Sequence, residues 1–271
     1  MNKLTFSWPA GKLGAVTTSW DDGTIHDRPL VEILNRHGLK GTWNLNASTL
    51  AAGPDDPAAA RRVTRGEVRS LYAGHEVACH AFTHPFLERI PEEAVLAETT
   101  ADRGVLESLA GYPVKGMSLP FGTYDTRVLR LLRNCGIVHC RTTRATPGFA
   151  PPDDFLEWHP TCHHKADLAA LWKQFVDHRH AQKLLYVWGH SYEFDRDGNW
   201  GHIESFAALA GPDKNVWHAT NMEIYSYLTA WRALWCALDM SSVRNVSAIP
   251  LWFRSGDALL RCDPGQTLGL A

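Results

Sequence analysis

Seven short β-rich runs alternate with helical runs along this chain, and that order constrains the fold more than any other feature. The strand-like runs are Gly14–Ser19, Gly41–Leu45, His75–Cys79, Val114–Leu119, Ile137–Arg141, Leu184–Trp188 and Val216–Ala219. Segments with helical signals lie between them. Leu30, Ile33, Leu34 and His37 share one face of a helix over 28–37 that Gly38 stops. Thr64 and Glu67 make a capping box for a helix ending before Gly74. Further helices are expected over 92–110, 125–135, 167–180 and 200–210. Parallel strands need crossover connections, so strict β/α alternation predicts an α/β protein. Seven such units in 271 residues predict a seven-stranded barrel, a relative of the eightfold one.

The remainder reads as an extension of that barrel. Ile224, Tyr227, Leu228, Trp231, Leu234, Trp235 and Leu238 are spaced as the core face of a helix over 223–239. Residues 243–262 read as a β-hairpin tail around Ser255-Gly256-Asp257, suited to cover a barrel end or to mediate self-association as a homo-oligomer. No internal repeat interrupts the chain, and the Ala/Pro/Asp-rich stretch 51–60 reads as a surface loop, so 1–271 is expected to be one domain. With 45% hydrophobic residues and a net charge of -2, disorder is excluded and a nucleic-acid partner is not expected. No run of apolar residues is long enough for a membrane span. Met1–Trp8 lacks the basic-then-apolar pattern of a secretory signal, which predicts a cytoplasmic location. Six cysteines without a Cys-x-x-Cys pair read as free thiols of a reducing compartment.

The working face of a parallel α/β fold is the carboxyl end of its strands. Asp21 and Asp22 follow the first strand, His80 and His84 the third, Phe121 and Tyr124 the fourth, and His190 the sixth. An Asp-Asp-Gly turn is often only a loop. Adjacent carboxylates nevertheless repel unless a cation or proton separates them, and a divalent metal on one would leave the other ionised as a base. Two histidines four apart can grip one metal, and with one carboxylate they leave an open position for water or substrate, the pattern of catalytic zinc. His190 reads either as a packed core residue or as a proton donor suited to neutral pH.

Together these residues resemble the polysaccharide deacetylase superfamily, carbohydrate esterase family 4. Thr18-Ser19-Trp20-Asp21-Asp22-Gly23 is similar to its first motif, and 74–85, with His80 and His84, to its second. Leu119-Pro120-Phe121-Gly122 is similar to the third, and Val187-Trp188-Gly189-His190 to the last. The resemblance implies a distorted seven-unit (β/α) barrel. It implies Asp21 as catalytic base, Asp22, His80 and His84 as metal ligands, the Phe121 N–H as oxyanion donor and His190 as general acid. The implied metal is zinc first, with cobalt, nickel, iron or manganese as alternatives. The implied reaction is loss of an N-acetyl or O-acetyl group from a carbohydrate.

Two parts of the family pattern are missing. Its third-motif Arg, which steadies the base, is replaced here by Ser118, and its acidic fourth motif does not follow 137–141. Arg141 is the candidate replacement for the Arg, and Glu193 or Asp195 for the group that orients His190. Ala81 stands where the family usually has a hydroxyl residue. The long connection 142–166 reads as a lid or binding loop, with His159 or His163 touching substrate or rebuilding the lost support. Its Cys162-His163-His164 run also reads as a metal cluster or a solvated loop. Trp20, Trp43 and Trp158 are placed to stack on a sugar ring or to pack in the core. Deformylation or opening of a cyclic amide or imide on the same metal remains open, as does a metal-bearing carbohydrate-binding protein without turnover.

Overall fold

The computed structural model describes residues 4–270 apart from residue 147. Met1–Lys3 at the head of the Met1–Trp8 stretch, Pro147 in the long loop and Ala271 lie outside the described residues. The chain begins with β1 (Leu4–Ser7) and β2 (Gly14–Asp21), followed by α1 (Asp27–Arg36) and β3 (Gly41–Leu45). Then come α2 (Val68–Leu71), β4 (Glu76–Cys79), α3 (Glu92–Ala110), β5 (Gly116–Ser118), α4 (Thr126–Asn134) and β6 (His139–Arg141). After the long loop with β7 (Cys162–His163) follow α5 (Leu168–Asp177), β8 (Leu184–His190), α6 (Tyr192–Arg196), α7 (Trp200–Ala210), β9 (Val216–His218) and α8 (Asn221–Arg232).

Apart from β1, these strands form one parallel sheet in the order β6-β5-β4-β3-β2-β8-β7, with β9 on the lower half of β2. The sheet curls toward closure, and the α/β barrel expected from the alternation is present. One assignment changes. The expected seventh strand, at 216–219, lies off the barrel path. The seventh place belongs to β7, inside the segment read as a loop. There Trp158 pairs in parallel with Arg141, and Cys162 and His163 pair with Val187 and Trp188. That stretch closes most of the gap between β6 and β8. Two residues give too little periodicity to be read as a strand.

Every residue of β2 is buried, so its alternation separates two buried faces. Val16 and Trp20 join the apolar layer between sheet and helices. Thr17, Ser19 and Asp21 instead hydrogen-bond with Asn221, Asn44 and Ser118 of other elements. Trp20 and Trp43 are fully enclosed and Trp158 is 1% exposed, so these three are core residues rather than a sugar platform. Trp20 packs against Trp43, His164 and Phe194.

The helix expected to reach Asp239 ends at Arg232. Beyond it β10 (Trp235–Cys236), β11 (Ser242–Arg244) and β14 (Thr267–Gly269) form a small antiparallel sheet. Leu238, counted with the helix core, is fully exposed, and Trp235 is mostly exposed. Strand pairing with β11 satisfies the backbone there at the cost of the helical face. The tail hairpin is present as β12 (Leu251–Ser255) and β13 (Ala258–Cys262), joined by Gly256-Asp257 with Gly256 at φ 57°. β12 also pairs with β1, which binds the tail to the start of the chain. The six cysteines are unpaired, and no described helix is long and apolar enough to cross a membrane.

Gly116 on β5 faces the buried His139–Glu76 pair, and a Cβ there would fall 2.3 Å from the His139 ring. Gly116→Ala is therefore expected to cost about 1–3 kcal/mol by overpacking. The urea midpoint reads this directly, and an unchanged midpoint would mean that the ring moves aside freely.

Candidate active site

Asp21 is the last residue of β2 and Asp22 the first beyond it. In a continuing strand their side chains would point to opposite faces. Asp22 instead adopts φ 81°, and both residues line one cavity of about 440 Å³ at the barrel mouth. The Asp22 N–H donates to the Asn44 carbonyl at 3.0 Å, which fixes this turn. His84 (φ 62°) and Phe121 (φ 60°) share the left-handed conformation and line the same cavity. Strained residues of this kind gather at sites where geometry is imposed by the surroundings.

Asp22 Oδ1, His80 Nε2 and His84 Nε2 form a triangle. Its sides are 3.7 Å from His80 to Asp22, 4.0 Å from His84 to Asp22 and 3.1 Å between the two rings. Ligand atoms about 2.1 Å from a tetrahedral ion stand roughly 3.4 Å apart, so the triangle fits one cation. The ring protons agree. His80 Nδ1 lies 2.9 Å from the Ser118 carbonyl, which only accepts, so the proton sits on Nδ1 and Nε2 offers a lone pair. Asp102 on α3 accepts from the His80 N–H at 2.9 Å and from the Ala47 N–H at 2.7 Å, and so pins the loop that carries this histidine. The His84 ring packs edge-on against Phe121, which stacks on Phe86.

Asp21 has a different set of neighbours. Arg141, fully enclosed on β6, donates through Nη2 to Asp21 Oδ2. Ser118 Oγ and Asn44 Nδ2 donate to Oδ1 at 3.0 and 2.9 Å. Burial by itself would push this carboxyl up. The Arg141 guanidinium, aided by His80 and His190, overrides burial and holds it well below the usual carboxylate range. The guanidinium also lies over the Trp188 ring. The Ser118–Arg141 pair is directly in register between β5 and β6, so an Arg missing from one strand is supplied by its neighbour.

His190 ends β8 with Nε2 4.0 Å from Asp21 Oδ2 and Nδ1 3.2 Å from Glu193 Oε2. Burial lowers the tendency of this ring to hold a proton. The Glu193 hydrogen bond and the charges of Asp21 and Asp22 reverse that and raise its pKa. Glu193 is also met by His163 at 3.0 Å, His164 at 2.9 Å and Lys165 at 3.0 Å. Asp195 is exposed and faces His26 at 4.0 Å, so of the two acids only Glu193 reaches His190. Tyr124 does not line the cavity; its hydroxyl donates to Glu157 at 2.8 Å on the outside of the rim. His159 pairs with Thr142 and Arg144 along the loop and also lies outside the cavity.

The sequence motifs do not point to Asn44 or Asp102, and they include His164 only within the Cys162-His163-His164 run. Asn44 is the penultimate residue of β3 and lies in none of the motifs. Asp102 is a buried acid on the inner face of a helix, a signal visible in its spacing from Thr99 and Leu106. His164 stands beside the His163 that is singled out.

The polysaccharide deacetylase family profile matches residues 10–139, just under half of the chain. That stretch carries Asp21, Asp22, His80, His84 and Phe121. Over that stretch the chain is similar to the polysaccharide deacetylase family. It is 25% identical over 143 residues to chitin deacetylase 1 of Cryptococcus neoformans, 52% of this chain and 28% of that one. Over 121 residues it is 26% identical to a probable peptidoglycan-N-acetylglucosamine deacetylase of Arthroderma benhamiae, 44% of this chain and 26% of that one. The chain thus spans about a quarter of the length of these curated relatives. Among solved structures, a Mycobacterium smegmatis protein named for the same family superposes with a TM-score of 0.60 at 19% identity, covering 86% of this chain and 96% of that one. A family 4 carbohydrate esterase from Streptomyces lividans gives 0.51 at 16% identity, with 77% and 93% covered. These superpositions show a shared barrel fold.

Arg141→Met leaves Asp21 buried without its cation, and breaking such a pair costs about 3–5 kcal/mol. A carboxyl depressed in the folded state adds stability above its unfolded pKa, and that stability is lost as pH falls through the folded value. The stability gap between parent and variant is therefore expected to be widest near neutral pH and to shrink in acid. Urea melts of metal-free protein at several pH values measure it; a gap that ignores pH would detach Arg141 from Asp21.

Proposed function

We propose that this protein is a metal-dependent hydrolase that removes the acetyl group from the nitrogen of an amino sugar. The observation that carries this reading is the division between two consecutive carboxylates. Asp22 faces two imidazole nitrogens, whereas Asp21 beside it is held ionised by Arg141. The match of residues 10–139 to the polysaccharide deacetylase family and the names of the two curated relatives support the acyl-sugar substrate.

Asp22, His80 and His84 would hold the cation, with zinc favoured by the nitrogen-rich donor set. When bound, it would polarise the acyl carbonyl and make a water more acidic. Asp21 is ionised at neutral pH and takes a proton from the attacking water. The hydroxide oxygen bonds to the acyl carbon, and the carbonyl oxygen gains the charge. The Phe121 N–H, on the left-handed turn at the cavity wall, donates to that oxygen. His190, kept protonated by Glu193, gives its Nε2 proton to the amide nitrogen as the C–N bond breaks. Acetate and a free amine leave, Asp21 releases its proton to solvent and His190 regains one from solvent.

The test measures acetate and formate released from N-acetylated, O-acetylated and N-formylated sugars, with metal analysis alongside. Acetate from the N-acetyl substrates is expected. Asp21→Asn is expected to lose on the order of 10²–10⁴ in kcat with its metal retained. His84→Ala is expected to lose the metal. Formate alone would make the protein a deformylase, and bound metal without any release would make it a binding protein.

The raised pKa of His190 sets the alkaline limit of activity, because a general acid works only below its pKa. Glu193→Gln removes the charge that raises it. The basic limb of kcat/KM is expected to move to lower pH in this variant. A limb that stays in place would assign it to another group.

A further inference from the structure

Five donors converge on the Glu193 carboxylate. His190 Nδ1, His164 Nε2 and His163 Nε2 reach Oε2 at 3.2, 2.9 and 3.0 Å, while Lys165 Nζ and Arg196 Nη2 reach Oε1 at 3.0 and 3.1 Å. Of the three imidazoles, only His164 is fully buried. Its backbone is fixed on both sides. The His164 N–H donates to the Trp188 carbonyl at 2.7 Å, and its carbonyl lies 2.7 Å from His202 Nε2. Its ring lies on Gly189, where a Cβ would come within 2.1 Å of His164 Cδ2. Its Nδ1 has no partner among the described residues, so Glu193 is the polar contact of the ring.

We propose that His164 is a positioning residue: it anchors Glu193, and Glu193 fixes the His190 ring with Nδ1 protonated and Nε2 directed at the cavity. This rests on the reading of His190 as the proton donor. It also assigns a role to Gly189, which leaves the room that the His164 ring occupies. Charged or titratable groups face this cluster from every side. Asp21 comes from β2, Asp22 from its turn, Arg141 from β6, Lys165 from the loop after β7, and Tyr192 and Arg196 from α6. Among the described residues only Glu193 contacts His190 Nδ1.

His163, His164 and Glu193 are also close enough to share a cation. Two features favour hydrogen bonding instead. Lys165 and Arg196 already set two positive charges on the carboxylate. His163 Nδ1 accepts from the Lys165 N–H at 3.3 Å, which leaves the ring proton on Nε2, toward Glu193.

The test compares His164→Gln, whose amide N–H can replace the Nε2 donor, with His164→Met, which removes it. Loss of an orienting partner of this kind is expected to lower kcat about 10–100-fold in His164→Met, with KM and bound metal unchanged. His164→Gln should keep most of the parent kcat. Because the effect runs through one carboxylate, His164→Met should lower kcat no further in a Glu193→Gln background. Parental kcat in His164→Met, a full additive loss in the double variant, or loss of a second metal equivalent would overturn the proposal. Histidine ¹⁵N spectra of the metal-free parent provide a readout without variants or substrate. Recorded at a pH where both rings are neutral, they should show His164 protonated on Nε2 and His190 on Nδ1. The opposite tautomer at either ring would overturn the positioning role, whether or not the protein proves to be a deacetylase.

Discussion

A buried carboxylate with no counter-charge takes up a proton, and a protonated Asp21 could not accept one from water. The Arg141–Asp21 ion pair is therefore the contact on which the rest of the site depends. It is enclosed on all sides, with Asp21 2% exposed and Arg141 not exposed at all. Such a pair is seldom a net source of stability, because removing both charges from water costs as much as their attraction returns. Its effect here is on ionisation state. It keeps one acid charged beside a second acid that faces two imidazoles, so the neighbours in sequence have separate chemistry.

The barrel interior is organised around that pair. Ser118 touches both Asp21 and His80 Nδ1, at 3.0 and 2.7 Å, and so ties Asp21 to one of the candidate metal ligands. Asn44 reaches Ser19 and Asp21 from the next strand. These bonds run sideways between parallel strands, and each strand end is held by the next. The long loop carries the same support to the far side. Its short strand β7 brings His163 and His164 against β8, where they meet Glu193. Asp21 is thus held from β6 and His190, through Glu193, from β7, the strands on the two sides of the sheet's open edge.

The sequence makes the frame legible because seven β/α alternations and the strand-end residues survive in one dimension. Helix limits come within a few residues wherever a cap marks them, as at Thr64, Asp125 and Gly38. Where the sequence misleads, a local preference yields to pairing at a distance. Leu234, Trp235 and Leu238 keep helical spacing, yet the chain turns to pair with β11. Strand β7 is too short to leave a periodic trace, and its partner is 25 residues away. Trp20 and Tyr124 illustrate a different limit. Nearness to a motif does not say which face of a strand or which side of a rim a side chain takes. Arg141 and Glu193 were legible because each restores a charge that the motif pattern lacks. His164 was not, because nothing in the sequence says that a glycine on another strand leaves room for its ring.

The proposed chemistry requires a single cation seated by Asp22, His80 and His84, with Asp21 beside it and not bound to it. The most direct measurement is an anomalous difference map from crystals soaked in zinc. One strong peak is expected within about 2.3 Å of Asp22 Oδ1, His80 Nε2 and His84 Nε2, with Asp21 still paired to Arg141. A peak bridged by Asp21, a peak at Glu193 instead, or no peak among the three ligands at saturating zinc would contradict it.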